Sequence, residues 1–288
     1  MTRFSSYLSL VKFSHTLFAL PFALLSMLLA AGGPPPLPTL LWILVAMVGA
    51  RSAAMSFNRI ADRKIDAENP RTRGREIPAG IVSVPAASVF CLASAALFVL
   101  AAGQLNRLCL FLSPVALAIV LGYSLTKRFT PASHLVLGLS LAIAPAGAWI
   151  AVRGSLDAVP VLLGLGVLLW VAGFDVLYSL QDEEFDRLHG LRSVPVLLGE
   201  RRAMLAAAVL HAVALGFFYA TWVAAAGGIL FGAGVVLSGL FLVRQHTLVS
   251  PGDLSRIDAA FFTANGWLSA AFFLFGAADI LLRGRLPL

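Results

Sequence analysis

The chain has 288 residues, of which 59% are hydrophobic and only 12% are charged, whereas soluble domains carry about 25% charged residues. This composition excludes an ordinary soluble domain and predicts an all-α integral membrane protein. The net charge of +7 does not indicate a nucleic-acid partner, because the basic residues cluster at the ends of apolar stretches, as the excess of cytoplasmic Lys and Arg in membrane proteins requires.

Nine apolar stretches approach the length of about 20 residues with which a helix crosses a bilayer. They are residues 14–32, 39–57, 82–102, 107–123, 132–152, 158–178, 203–226, 229–243 and 259–282. With a cytoplasmic N-terminus, nine spans place 17 of the 21 Lys and Arg residues on the cytoplasmic side. The interruptions are short, so residues 1–288 are predicted to form one membrane domain.

The first unusual interruption, residues 58–80, follows the second span. Asn58, Asp62 and Asp66 recur every four residues, which places them along one face of an α-helix. Arg51 continues this face into the span, where a charged group persists mainly when it lines a polar cavity or has a partner.

The second unusual interruption, residues 175–200, follows the sixth span and lies on the same predicted cytoplasmic face. Asp182 and Asp186 are four residues apart, and Asp175 precedes Asp182 by seven, so the three carboxylates share a helical face. The two interruptions together hold 10 of the 14 acidic residues. Because both continue from an apolar span into a segment that ends in Pro and Gly, we predict two related halves.

Carboxylates spaced in this way are hard oxygen ligands, and Mg²⁺ favours one or two of them together with phosphate oxygens and water. The neighbouring basic residues are candidates for binding phosphate oxygens: Arg59, Arg63, Lys64, Arg71, Arg73, Arg75, Lys127, Arg128 and Arg192. A single DxxxD motif is typical of a solvated helix end. Two such motifs on one membrane face favour a site for Mg²⁺ and a diphosphate.

On these residues the chain resembles the UbiA superfamily of intramembrane prenyltransferases. The matching motifs are NxxxDxxxD at Asn58, Asp62 and Asp66, NPRTRGREIPAG at 69–80, YSLTKRFT at 123–130, DxxxD at Asp182 and Asp186, and the preceding Asp175 and Tyr178. The resemblance implies about nine membrane helices around a central cavity, with Mg²⁺ and diphosphate at its cytoplasmic mouth and the prenyl tail directed toward lipid.

The resemblance also implies roles for individual residues. The Mg²⁺ and diphosphate ligands would be Asn58, Asp62, Asp66, Asp182 and Asp186, and Tyr123 and Tyr178 of the matched segments would bind substrate. Arg51, Arg63 and Arg71 are further substrate-binding candidates because of their charge beside the first motif. Lys127 would contact diphosphate, and Arg128 would meet the carboxylate of the acceptor. Asp175 would accept the proton lost by the aromatic ring or orient the phenol; the alternatives are a partner for Arg51 or a residue of the helix end.

The implied reaction transfers a polyprenyl group from its diphosphate to an aromatic acid, either 4-hydroxybenzoate in ubiquinone biosynthesis or 1,4-dihydroxy-6-naphthoate in menaquinone biosynthesis. Residues 11–25 resemble the subgroup that includes the naphthoate enzymes. Lys12 and His15 share a helical face there. They are candidates for the acceptor pocket, although an interfacial Lys and a satisfied His are the commoner arrangement.

Two other classes compete with this interpretation. A membrane transporter also carries intramembrane charges, but it does not require two carboxylate motifs at one surface. A membrane phosphotransferase would need an Asp motif with Gly and Arg on one helix, which the sequence lacks. His134, His211 and His246 lie on different predicted helices, so they are treated as isolated and no metal role is predicted for them.

Overall fold

The computed structural model describes residues 7, 9–10 and 18–283. Within this part of the chain the structure is helical, without a β-strand. Eight helices are long and apolar enough to cross a membrane, and a shorter apolar helix at Leu20–Ala31 falls within the predicted first span. The prediction of an all-α membrane protein with about nine helices is confirmed.

We number the helices in chain order. They are α1 Leu20–Ala31, α2 Leu37–Ala61, α3 Arg63–Glu68, α4 Val84–Leu105, α5 Arg107–Thr126, α6 Ser133–Arg153, α7 Ala158–Ser179, α8 Glu183–Leu188, α9 Val194–Leu198, α10 Glu200–Ala224, α11 Ile229–Thr247 and α12 Asn265–Leu282. A 3₁₀ turn at Leu180–Asp182 joins α7 to α8, and a π-helical segment at Ala259–Ala264 precedes α12.

The chain divides into two compact units, and the first comprises residues 1–16 and 37–126. In this unit α2 packs against α4 and α5. Gly49 permits the close approach of α2 to α4, since a Cβ at this position would lie 2.9 Å from the backbone nitrogen of Phe98. Small residues have this role at many membrane helix interfaces, because backbones can then pack closely.

The second unit comprises residues 17–36 and 127–288. Its central helix is α7, which packs against α6 and α10, while α1 packs against α6 and α12. The interior is aromatic: the ring of Phe22 lies 5.1 Å from that of Trp170 and 5.5 Å from that of Phe218. The Trp170 indole donates a 2.8 Å hydrogen bond to Asn265 Oδ1, which satisfies a buried polar group.

Helices α6 and α7 approach so closely that only glycine fits at position 138. A Cβ there would lie 2.2 Å from the carbonyl oxygen of Leu168. These two helices carry His134 and Asp175 at the end where the chain leaves α7 for α8. The predicted single domain, central cavity and membrane orientation stay predictions.

Candidate active site

The first motif lies at a break between two helices. Helix α2 ends at Ala61, Asp62 has φ −89° and ψ 2°, and α3 begins at Arg63. The helix that carries the motif is therefore interrupted at Asp62. The i to i+4 hydrogen bonds nevertheless continue, from the Asp62 nitrogen to the Asn58 oxygen at 2.9 Å and from the Asp66 nitrogen to the Asp62 oxygen at 2.7 Å. Because they continue, Asn58 Nδ2 also donates to Asp62 Oδ2 at 3.0 Å.

Asp66 is the most informative residue of this motif. It is 3% exposed, and its Oδ1 accepts a 2.7 Å hydrogen bond from the Arg75 guanidinium. Its Oδ2 is buried and has no hydrogen-bond partner in the described part of the chain. A buried carboxylate oxygen without a partner is costly. This atom therefore fits a ligand for a hard cation.

A second buried pair supports the loop that follows. Arg59 is 1% exposed, and its Nε lies 3.6 Å from Glu76 Oε2. The Ser9 hydroxyl donates to the other oxygen of Glu76 at 2.5 Å. Arg59 was among the candidate phosphate-binding residues, but its burial against Glu76 gives it a structural role in fixing residues 69–82 against α2.

Four other residues of the first unit were predicted to bind substrate, and two of them are exposed to solvent. Arg51 and Tyr123 are electrostatic neighbours, which agrees with their shared assignment to the site. Arg63 and Arg71 are exposed, and the Arg63 guanidinium donates to the carbonyl oxygen of Ile60 at 2.8 Å. Substrate binding by these four residues stays a prediction.

The second motif repeats the local geometry of the first. Asp182 has φ −105° and ψ 3° at the start of α8, close to the values at Asp62. Asp66 and Asp186 are each the fourth residue of a six-residue helix, and both are buried. Each motif is followed by a Ser-Val-Pro sequence in which Ser83 or Ser193 caps the next helix. This correspondence agrees with the predicted relation between the two halves.

Asp186 has a cation and a hydroxyl as neighbours. It is 7% exposed, Ser193 hydrogen-bonds with it, and Lys127 is an electrostatic neighbour. The segment that carries Lys127 is fixed by Arg192, whose backbone nitrogen donates to the Lys127 oxygen at 2.7 Å and whose guanidinium donates to the Phe129 oxygen at 2.9 Å. Lys127 and Arg128 are therefore placed beside the second motif's helix, while contact with a substrate stays a prediction.

The sequence analysis missed a partner of Asp175. His134 Nδ1 lies 2.7 Å from Asp175 Oδ2, and the backbone nitrogen of Val194 donates to His134 Nε2 at 3.2 Å. His134 is 4% exposed, whereas the Asp175 side chain is 26% exposed. The only available signal was that both residues lie at the same predicted end of consecutive spans.

His211 and His246 were also treated as isolated, which is wrong: His211 Nδ1 lies 2.8 Å from His246 Nε2. The Tyr178 ring packs 4.1 Å from that of Phe261 in the π-helical segment, and such segments are frequent at functional sites. Lys12 and His15 lie outside the described residues.

The donor chemistry of both motifs fits Mg²⁺. Within the described residues of either unit, no group of three or more His, Cys, Asp and Glu side chains is gathered for a metal. Each motif instead contributes two carboxylates, and Mg²⁺ takes one or two carboxylates together with phosphate oxygens and water. Asp66 Oδ2, which is buried and has no hydrogen-bond partner in the described part of the chain, is the atom best suited to this role.

Comparison with known proteins gives consistent matches along most of the chain. The model of the UbiA prenyltransferase family matches residues 19–274. A 4-hydroxybenzoate octaprenyltransferase of Vibrio atlanticus (strain LGP32) is 30% identical over 86% of this chain and 88% of its own length.

Two solved structures extend the match to the fold. The apo structure of a UbiA homolog from Aeropyrum pernix K1 has a TM-score of 0.80 and 34% identity, and the match covers 93% of this chain and 97% of that chain. A UbiA homolog from Archaeoglobus fulgidus, bound to GPP and Mg²⁺, has a TM-score of 0.76 and 22% identity, with 96% of this chain and 99% of that chain covered. At that identity the second match shows a common fold.

Proposed function

This chain belongs to the UbiA prenyltransferase family, and we propose that it transfers a polyprenyl group from a polyprenyl diphosphate to a hydroxylated aromatic acid. The family and the apolar helices identify an integral membrane prenyltransferase, so the transporter interpretation is wrong. The family prediction from the motifs is confirmed.

One observation carries the proposal for the site: two buried carboxylates occupy equivalent positions in the two motifs, each beside a cation. Asp66 pairs with Arg75, and Asp186 neighbours Lys127. We propose that Mg²⁺ and diphosphate are held by Asn58, Asp62, Asp66, Asp182 and Asp186. Bound Mg²⁺ would neutralise charge on the departing diphosphate. Lys127 would add a cation of the chain to the same task.

The chain's own residues then bind, orient and accept a proton. Breaking the bond between the prenyl C1 and oxygen leaves an allylic cation, and a ring carbon beside the acceptor hydroxyl forms the new C–C bond. The ring proton must then leave to restore aromaticity. We assign its acceptance to Asp175, whose carboxylate is partly exposed and is held through one oxygen by His134. Arg128 would bind the acceptor carboxylate bidentately.

We propose 4-hydroxybenzoate as the acceptor, supported by the name of the Vibrio atlanticus relative at 30% identity. The second candidate is 1,4-dihydroxy-6-naphthoate, favoured by the resemblance of residues 11–25 to the subgroup that includes naphthoate enzymes. Both molecules offer a hydroxylated ring and a carboxylate. Octaprenyl diphosphate is the corresponding donor, again from the name of the relative.

The test is a side-by-side assay of the purified protein in lipid nanodiscs. Geranyl or octaprenyl diphosphate is supplied with each acceptor, and the products are analysed by mass spectrometry. We expect the mass of the acceptor plus the prenyl group minus one hydrogen. Release of diphosphate without a prenylated product from either acid would contradict the assignment. Product from the naphthoate alone would replace 4-hydroxybenzoate as the acceptor.

We further propose that the site faces the cytoplasm across a bacterial inner membrane, supported by the distribution of Lys and Arg. Replacing the exposed Arg71 with Cys provides a label position, because Cys91 and Cys109 lie within apolar helices. A membrane-impermeant maleimide should label Arg71→Cys in inside-out vesicles. Labelling in intact right-side-out vesicles, with none in inside-out vesicles, would reverse the orientation.

A further inference from the structure

We propose that His134 is a positioning residue that holds the Asp175 carboxylate for proton acceptance, an inference that rests on the proposed function. His134 is the second residue of α6, and Asp175 lies in the last turns of α7. Their 2.7 Å contact joins Nδ1 of the imidazole to Oδ2 of the carboxylate. The close approach of α6 and α7 at Gly138 is what brings these two side chains into reach.

The second contact of His134 determines which ring nitrogen carries the proton. A backbone N–H can only donate, so the 3.2 Å contact from Val194 requires a lone pair on His134 Nε2. The neutral ring then carries its proton on Nδ1 and donates it to Asp175. The tautomer is thus fixed by two opposed contacts on a side chain that is 4% exposed.

This arrangement occupies one oxygen of Asp175 and leaves the other available. In the described part of its unit, Asp175 makes its hydrogen bond through Oδ2 to His134, and 26% of its side chain is exposed. The hydrogen bond from His134 to Oδ2 favours one rotamer of the Asp175 side chain and keeps Oδ2 directed toward His134. The remaining oxygen, Oδ1, is then presented to a substrate in a fixed direction. Fixed geometry of this kind is what a proton acceptor requires.

His134 also supports α9, and this second role has to be separated from the first. Val194 is the first residue of α9, so its N–H is one of the donors that a helix start leaves without an internal partner. Ser193, which neighbours Asp186, caps the same helix. Loss of His134 could therefore act through α9 instead of through Asp175.

Two substitutions of similar polarity separate these roles. In His134→Asn the amide nitrogen takes the place of Nδ1, so the donor to Asp175 is kept and the acceptor for Val194 is lost. In His134→Gln the amide oxygen reaches the place of Nε2, so the acceptor for Val194 is kept and the donor to Asp175 is lost. We expect kcat of His134→Gln to fall about 10- to 100-fold, as for other residues that orient a functional side chain. His134→Asn should retain at least tenfold more activity, with the donor KM unchanged in both variants.

A double substitution tests whether the effect passes through Asp175. In an Asp175→Asn background, His134→Gln should cause no further loss of kcat, because the group that it positions is already disabled. The opposite ranking of the two His134 variants, equal loss in both, or full additivity with Asp175→Asn would overturn the proposal and assign His134 to the support of α9.

A measurement without turnover separates this inference from the proposed function. Nitrogen-15 NMR of histidine-labelled full-length protein should show the Nδ1–H tautomer for His134, identified by its loss in His134→Asn, and should show a changed Nδ1 shift in Asp175→Asn. An Nε2–H tautomer, or no response to Asp175→Asn, overturns the inference whatever the activity. If aromatic acids are not prenylated but the coupled Nδ1–H tautomer is present, the pairing stands and the proposed reaction fails.

Discussion

Asp66 and Asp186 are buried carboxylates. Burying a charged group is unfavourable unless a cation or hydrogen bonds compensate. A neutral amide of the same shape removes the charge that binds Mg²⁺, so we expect Asp66→Asn and Asp186→Asn each to lower kcat at least about 100-fold, as for other groups that stabilise charge during reaction. Product formation measured by mass spectrometry at saturating donor checks this. The matched controls are Glu68→Gln and Glu184→Gln, exposed carboxylates on the same short helices. Wild-type rates in both Asp variants would exclude Asp66 and Asp186 as ligands of a catalytic metal.

Arg128 provides a second prediction at the scale of single residues. If its guanidinium binds the acceptor carboxylate bidentately, Arg128→Lys should raise the acceptor KM by about 10- to 100-fold, which corresponds to the roughly 1.5 to 3 kcal/mol of a charge-assisted hydrogen bond. The donor KM should stay nearly constant. Steady-state titration of each substrate at saturation of the other gives both values. Arg187→Lys is the control, because Arg187 is 63% exposed and pairs only loosely with Glu183.

The opposite result for Arg128 is equally informative. A raised donor KM with an unchanged acceptor KM would assign this residue to the diphosphate together with Lys127. The acceptor carboxylate would then have to be sought at Arg51 or Lys12.

Which residues could be predicted from the sequence depends on how far apart their partners lie along the chain. Asn58, Asp62 and Asp66 were predictable because a four-residue repeat places side chains together without any knowledge of packing. The Arg75 partner of Asp66 depends on the path of the intervening loop. The His134 partner of Asp175 is 41 residues away and depends on how closely two helices pack, which no local pattern records.

At the scale of elements, Asp279 shows how one helix stabilises the start of another. This residue of α12 is 5% exposed and accepts hydrogen bonds from the nitrogens of Gly228 at 2.9 Å and Phe231 at 3.4 Å, at the start of α11. Its charge also pairs with Arg283 at 2.7 Å. A carboxylate at a helix start satisfies free N–H groups and complements the helix dipole.

Asp279→Ala should therefore destabilise the protein by about 1 to 2 kcal/mol. Thermal unfolding in detergent would show this as a lowered Tm. Asp279→Asn should lose less, because its amide oxygen can still accept. Asp258→Ala is the control, since Asp258 is exposed. If this control lowers Tm as much as Asp279→Ala, the capping explanation fails.

Replacing either of two glycines of α6 with alanine should change the thermal stability of the protein in opposite directions. A Cβ at Gly138 would lie 2.2 Å from the Leu168 oxygen, whereas a Cβ at Gly147 would meet nothing within 4 Å. Gly138→Ala should force α6 and α7 apart and lower Tm, because the contact is with the backbone of Leu168 and a helix backbone can move only at a large cost in packing. Gly147→Ala should raise stability by about 0.5 to 1 kcal/mol, since alanine favours a helix more than glycine does. Parallel thermal unfolding of the two variants measures the difference, and equal Tm values would contradict the close contact.

The spans were predictable because apolarity marks them directly. The stretch 132–152 corresponds to Ser133–Arg153, and 82–102 corresponds to Val84–Leu105. The irregular turns were not predictable. The break at Asp62 changes only local backbone angles, and the π-helical segment at Ala259–Ala264 changes which carbonyl accepts a hydrogen bond, while the hydrophobic pattern stays the same.

At the scale of the whole molecule, buried polar contacts connect helices that are distant in sequence. In the second unit, His211 of α10 contacts His246 of α11 at 2.8 Å and the Trp170 oxygen of α7 at 3.2 Å. The Trp170 indole in turn binds Asn265 of α12. Gly173 leaves room for the imidazole of His211, as a Cβ there would lie 2.4 Å from His211 Cδ2. Such a network specifies one helix arrangement in an interior where apolar contacts alone discriminate poorly.

The dependence of the whole enzyme on a divalent cation follows from the oxygen donors of both motifs. Chelation should abolish prenyl transfer, and Mg²⁺ should restore it. A ligand that binds only the folded protein stabilises it by about 2.7 kcal/mol at 100 times its Kd. The donor diphosphate should accordingly raise Tm by several degrees when Mg²⁺ is present and by much less after chelation. Thermal unfolding with and without donor, in Mg²⁺ and in chelator, measures both effects.

Asp66→Asn makes this test specific to the site. Its Tm without ligands should fall only modestly. The amide oxygen of Asn can still accept the hydrogen bond from Arg75, and Oδ2 has no hydrogen-bond partner to lose in the described part of the chain. The stabilisation by donor and Mg²⁺ should disappear. A chelated wild-type enzyme that transfers prenyl groups at its original rate would contradict a metal role for the two motifs. Retained stabilisation by donor and Mg²⁺ in Asp66→Asn would instead place the metal at other residues, because the buried Oδ2 of Asp66 would then not be a metal ligand.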